Sequence, residues 1–257
     1  MTEARRLVVI GDSLAFTDDT GPQLPTHPSL YPNLVRDLLA NATRQPWRVQ
    51  VLARAGADVR DVWRWLAKER HTQFELIADA DAVIVAIGSF DVAPFGVPGV
   101  LDAIVPYVRP AALRRRVRGA LRAIHPIVAR RSFGPATPMG EFTRLFDLIL
   151  RQVRGLTKGA PGVVLGPTLH RSRYYGGTDG RHPGREARLR AQFEIAERHG
   201  FATVACWPLI EPHAEHLNVD GIHWPAGAHA AVAGALAAPL IEQLEGRRPS
   251  PPWYDSP

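Results

Sequence analysis

Three residues in this chain have the types and placement for nucleophilic catalysis by a hydroxyl: Ser13 in VVIGDSLAF (8–16), and Asp220 with His223 in NVDGIHW (218–224). A serine hydroxyl is a weak nucleophile at neutral pH until a neighbouring base takes its proton. An imidazole does this best when a carboxylate fixes its tautomer and stabilises the imidazolium. Asp220 and His223 stand three residues apart, just ahead of a helical stretch that starts near Pro225, so one turn can present both. Ser13 follows a run of β-branched residues cut by Gly11, as if a buried strand ended by pushing a hydroxyl into a cleft. Serine and aspartate are also preferred helix N-caps, and GDS after a strand is ordinary strand-to-helix punctuation, so Ser13 taken alone reads as a cap. One histidine among ten is likewise usually structural. The chemistry rests on the three residues together.

To meet, these residues need a scaffold that brings position 13 to position 223. Apolar, β-branched runs at 6–11, 47–53, 81–88, 162–167 and 201–206 alternate with helical patterns, as expected of a parallel sheet covered on both faces. The helical patterns are YPNLVRDLLANA, DVRDVWRWLAKE, GEFTRLFDLILRQVRGL, GREARLRAQFEIAERHG and PAGAHAAVAGALAAPLIEQLEG, each with an apolar stripe. In a doubly wound sheet the cleft lies outside the carboxyl ends of the strands. Ser13 then follows the first strand, Gly56 the second and Gly88 to Asp91 the third; Arg171, Arg173 and Tyr174 follow the fourth, and NVDGIHW lies beyond the fifth. Asp12, Ser89, Phe90, Asp91 and Arg173 share that edge and are candidates for substrate contact. Residues 92–140 exceed an ordinary crossover and read as an insertion or lid on a single domain spanning 1–246. The proline-rich tail 247–257 is expected to be poorly ordered.

Composition fits one α/β domain: 257 residues, 46% hydrophobic and 22% charged. The single cysteine, Cys206 in FATVACW, excludes an internal disulfide, fits a reducing compartment and reads as a buried strand residue. LVVI is too short for a signal-peptide apolar region and no run reaches the length of a membrane span, so a soluble, cytoplasmic protein is expected. A net charge of +6 and a pI near 10.1 point to anionic partners. Much of the charge lies in RPAALRRRVRGALRAIHPIVARR (109–131), where Leu113, Val117, Leu121 and Ile124 recur at helical spacing among arginines. This basic amphipathic helix is either a solvated face or an anion-binding one. Nucleic acid is not expected, because zinc-ligand spacing, an RNP-like aromatic motif and a helix-turn-helix are all missing. HRSRYYGGTDGRH and EPHAEH lack zincin spacing on a helix. They read as solvated loops, with no metal site.

GDSL after the first strand, a glycine after the second, a GxxD turn after the third and DxxH ahead of the last helix resemble the SGNH (GDSL) hydrolase superfamily. Its members are esterases, lipases and acyltransferases of flavodoxin-like, three-layer α/β/α fold. The resemblance implies a five-stranded parallel sheet with a helical insertion or lid. It further implies Ser13 as nucleophile, His223 as general base and acid, Asp220 as the orienting carboxylate, and the backbone N–H groups of Ser13 and Gly56 as oxyanion donors. The third block departs from the family's Gly-x-Asn-Asp: here it reads Gly88-Ser89-Phe90-Asp91, and phenylalanine cannot donate the hydrogen bond of the family's asparagine. Losing one oxyanion donor costs about 2.7 to 4 kcal/mol of transition-state stabilisation. Either another group such as Ser89 replaces it, or an activated acyl donor such as a thioester tolerates a weaker hole.

A narrower resemblance rests on GDSLAF…TGPQLPTHPSLYPNLV, DVRDVWRW, YVRPAALRRRVRGAL and DGIHWPAGAH, which are similar to the actinobacterial branch described as diglucosylglycerate octanoyltransferases. That branch implies transfer of an octanoyl group from coenzyme A to a sugar hydroxyl of an anionic glucosylglycerate, in methylglucose lipopolysaccharide biosynthesis, through an acyl-Ser13 intermediate. Acyl-CoA is then a co-substrate and no further cofactor is implied. The arginine-rich segment would attract the phosphates of one substrate and the carboxylate of the other. Its apolar stripe, with Phe90, Phe95 and Val97, is a candidate lining for an acyl channel. Two other readings of the residues stay open: an esterase or lipase hydrolysing short- or medium-chain esters, and a non-catalytic anion- or glycan-binding protein with a degenerate site.

Overall fold

The computed structural model describes residues 3–94, 104–131, 135–173, 175, 182 and 184–246. Five parallel strands form the centre: β1 (Arg5–Gly11), β2 (Trp47–Ala53), β3 (Ala82–Ala86), β4 (Gly162–Leu165) and β5 (Ala202–Val204), in the order β2-β1-β3-β4-β5. That order is the doubly wound one whose switch point lies between β1 and β3, and β1 is paired on both sides, Val9 facing Val51 and Ile84.

All five expected strands are present, and the last three are shorter than their apolar runs. Ile87–Gly88, Pro167 and Ala205–Cys206 lie past the strand ends at the carboxyl edge; the Gly166 amide still donates to the Val204 carbonyl at 2.8 Å, and Pro167 has no N–H to give a neighbour. Cys206 is buried, as expected, but it stands past the strand at the start of the short helix Trp207–Ile210. Burial pushes its thiol up to about 12.

Helices cover both faces. On one side α1 (Tyr31–Thr43) and α6 (Ala226–Leu244) pack Tyr31, Val35, Leu39, Val232, Leu236 and Leu240 against Leu7, Val9, Ile84 and Val163. On the other, α2 (Val59–Lys68), α4 (Met139–Leu156) and α5 (Arg185–Arg198) pack against Val8, Ile10, Val83, Val85 and Val164. Successive strand residues thus enter opposite cores, as a pleated sheet buried on both faces requires. The three-layer α/β/α arrangement expected from the sequence is the observed one.

A further helix, α3 (Ala111–Arg130), lies within the long segment between β3 and α4. The segment leaves and returns at neighbouring points: Pro94 bridges Pro135, and the Ala136 amide donates to the Ala93 carbonyl at 2.9 Å. Phe95, Val97 and the 247–257 tail lie outside the described residues. No helix among the described residues is long and apolar enough to cross a membrane.

Candidate active site

β1 delivers Gly11 to the carboxyl edge and the chain turns at once. Asp12 has extended backbone (φ −113°, ψ −158°), and its Oδ1 accepts a hydrogen bond from the Leu14 amide at 3.0 Å, opening a single 3-10 turn over Ser13–Ala15. The cap is therefore Asp12. The Ser13 hydroxyl is free of that duty and lies 2.9 Å from His223 Nε2, while His223 Nδ1 lies 2.6 Å from Asp220 Oδ2. Hydroxyl, imidazole and carboxylate stand in the order that lets the ring take the serine proton on one nitrogen while the acid holds the other.

The Asp220–His223 loop is built to fix this geometry. Asp220 Oδ1 accepts from the amides of Ile222 (2.8 Å) and His223 (3.2 Å), so one oxygen shapes the turn and the other orients the ring. Burial opposes charge on Asp220, yet the Ile222 amide and the His223 ring outweigh it and hold its pKa below the usual aspartate value. Gly221 has φ +72°, and a Cβ there would sit 2.6 Å from the Arg171 carbonyl. Both conformation and space demand glycine. The Gly221 carbonyl accepts from the Arg171 amide at 2.7 Å, fastening the loop after β4 to the relay. Behind it, the fully buried Trp224 packs its ring 6.1 Å from Tyr31 and 5.4 Å from His229.

The remaining expected residues fall into distinct places. Gly56 adopts φ +69°, and a Cβ there would lie 3.8 Å from the Phe90 ring. Phe90 therefore sits over the glycine whose amide the sequence resemblance casts as an oxyanion donor. Ser89 Oγ accepts from the Thr168 amide at 3.2 Å. Asp91 is fully buried, with its carboxylate on the Val59 amide at 3.2 Å, so it ties the third turn to the start of α2; its contacts are those of scaffold. Burial raises its pKa to about 6. Asp12 is buried as well, and burial, aided by the charge of Asp91, pushes it up to about 7. Arg173 is exposed on the loop after β4, and Tyr174 lies outside the described residues.

Two expectations are corrected here. HRSRYYGGTDGRH is not simply a solvated loop. His170 and His182 are buried with ring centroids 4.3 Å apart, and burial, with His182 alongside, pushes His170 down to about 3. Tyr175 stands edge-on to Phe90 (5.9 Å) and to His125 of α3 (5.5 Å), and 5.4 Å from His170. This ring cluster beside the site has no period in the sequence, because its members come from three separate segments. The run HRSRYY, with polar and aromatic residues after a strand, was its only signal. The second concerns α3: Leu113 and Ile124 of its apolar stripe are nearly half exposed, and the residues the helix buries are His125 and Ala129. In EPHAEH, Ala214 is buried while Glu215 and His216 are exposed, Glu215 pairing with Arg171. Among the described residues no group of three or more His, Cys, Asp or Glu is placed to hold a metal ion.

Against proteins of assigned activity, the chain is 33% identical over 242 residues to a diglucosylglycerate octanoyltransferase of Mycolicibacterium hassiacum, covering 92% of this chain and 95% of that one. The chain belongs to the diglucosylglycerate octanoyltransferase family. A second family member, from Mycobacterium tuberculosis, is 31% identical over 245 residues, covering 92% of each chain. Solved structures share the family's fold at low identity: a lipase/acylhydrolase from Enterococcus faecalis (15% identity, TM-score 0.59, covering 94% of this chain and 96% of that one) and a mutant acetyl-xylooligosaccharide esterase from Geobacillus (16%, TM-score 0.57, 96% and 97%). No protein-family model matches the chain.

Proposed function

We propose that the protein is a serine acyltransferase that moves an octanoyl group from coenzyme A to a sugar hydroxyl of diglucosylglycerate. The observation that carries the reading is the Ser13–His223–Asp220 relay, at 2.9 and 2.6 Å, in a chain of this family. His223 Nε2 takes the Ser13 proton as Oγ attacks the thioester carbonyl. The tetrahedral oxyanion is met by the backbone N–H groups of Ser13 and Gly56. Collapse breaks the carbon–sulfur bond, the imidazolium returns its proton to the leaving thiolate, and an octanoyl ester remains on Ser13. His223 then deprotonates the sugar hydroxyl, which attacks the ester; the carbon–oxygen bond to Ser13 breaks and Oγ recovers its proton. Phe90 over Gly56 leaves the hole with backbone donors at that side, which suits a thioester, a more activated donor than an oxygen ester.

Intact-protein mass spectrometry after mixing with octanoyl-CoA tests the scheme. An octanoyl adduct in the wild type and none in Ser13→Ala is expected, with the adduct discharged by diglucosylglycerate into an acylated sugar. An adduct that clears equally fast without acceptor makes the protein a hydrolase, and no adduct with no thiol release removes Ser13 from the chemistry.

A further inference from the structure

α3 carries its two faces the wrong way round for a helix that belongs to a core. Leu113, Val117, Leu121, Ile124, Ile127 and Val128 form one apolar stripe, yet Leu113, Ile124, Ile127 and Val128 are 38 to 54% exposed. The buried positions, His125 and Ala129, are centred roughly 110° round the helix from that stripe at 100° per residue. His125 meets the ring of Tyr175, which meets Phe90, so the helix is anchored beside the candidate site by the face that is not apolar. Ile104 and Tyr107, just before the helix, are exposed as well.

The stripe is flanked by charge of one sign. The helix holds six arginines (114, 115, 116, 118, 122 and 130), with Arg131 following, and no acidic residue. Among the described residues none of the six pairs with a carboxylate. Arg116 and Arg130 border the stripe on one side and Arg114 on the other, where long stems can lie along an apolar surface while the guanidinium groups reach outward. An apolar face with cationic borders complements a surface that is apolar inside and anionic at its boundary. A second copy of the chain would set arginines against arginines, and a nucleic acid would leave the stripe in water.

We infer that α3 is an interfacial helix that seats this protein on an anionic lipid surface. The inference does not depend on the acyl-transfer reading, because its readout is binding.

The test is sedimentation of the full chain with vesicles of phosphatidylcholine alone and of phosphatidylcholine mixed with phosphatidylglycerol. The wild type is expected to pellet with the mixed vesicles at low salt and to be weakened by salt. Arg116→Glu with Arg130→Glu, and separately Leu113→Ser with Ile124→Ser and Val128→Ser, are each expected to lower partitioning by about tenfold or more. Thermal unfolding of both variants is expected to match the wild type, since these side chains are exposed. Pelleting without preference for the anionic vesicles, or binding that the serine variant retains, overturns the inference. So does a wild-type dimer that the serine variant turns into a monomer, which assigns the stripe to a second copy.

Discussion

α3 and α6 are of nearly equal length, 20 and 19 residues, and each holds an internal proline, yet they sit in the molecule in opposite ways. α6 buries Ala228, His229, Val232, Ala233, Leu236, Ala237 and Leu240 against the sheet and α1, and the loop that precedes it carries Asp220 and His223. α3 buries two residues and turns its apolar side chains outward. The lesson is that an apolar stripe identifies a face without naming what covers it. α6 has the sheet as its partner within the chain, and α3 presents its stripe to something beyond it.

The contrast breaks hardest at the relay that α6 supports. Asp220→Asn, which leaves the ring without a carboxylate to fix its tautomer, is expected to lower acyl-transfer turnover by roughly three to four decades with little change in unfolding temperature. Steady-state rates with octanoyl-CoA and diglucosylglycerate check this, and retention of a tenth of the activity would remove Asp220 from the relay. Next comes a matched pair of truncations. Leu236→Ala in α6 opens a cavity in a sealed core and is expected to cost about 2 to 5 kcal/mol. Ile124→Ala in α3, 45% exposed, is expected to cost about 0.5 kcal/mol or less. Denaturant unfolding of the two proteins measures the difference directly, and equal losses would mean that α3 has a hidden partner in the fold.

The smallest effect is a pH dependence. Asp12 is held at about 7 against an ordinary value of 3.8, so between pH 4 and 7 the folded chain keeps a proton that the unfolded chain has released, and its contribution to stability falls as pH rises through that window. His170 and His229, depressed by burial to about 3 and 4, act the other way: they are neutral when folded and charged when unfolded below 6.5, so their contribution rises with pH. In Asp12→Asn the share of the falling limb that Asp12 supplies is gone, while that of Asp91, raised to about 6, remains. The unfolding temperature of the variant minus that of the wild type is expected to increase from pH 4 to pH 7 and to level off above it. A difference that is constant with pH would show that Asp12 is ionised throughout.

The sheet was legible because strands buried on both faces must be continuous apolar runs, and Leu7 to Ile10, Ala82 to Val85 and Val163 to Leu165 are such runs. The Asp220–His223 pair was legible because a spacing of three in a turn is local geometry. Which of Asp12 and Ser13 caps the turn was not legible, since both residue types accept backbone N–H bonds equally well; only the position of His223, 210 residues away, distinguishes them. The buried His170–His182 pair was hidden for a related reason. Polar rings that bury themselves against one another read, in one dimension, as a polar loop. For α3 the sequence specified the amphipathic pattern correctly and left its orientation open, because rotation about the helix axis is set by tertiary contacts such as His125 on Tyr175.

The 210-residue gap between Ser13 and His223 also has a meaning in time. β1 is made before the 218–224 loop, and Ser13, which follows that strand, gains its imidazole partner only after the loop has emerged and α6 has docked against α1. Until then the growing chain carries an ordinary, unpaired hydroxyl, and the relay comes into being only when the sheet around it is complete.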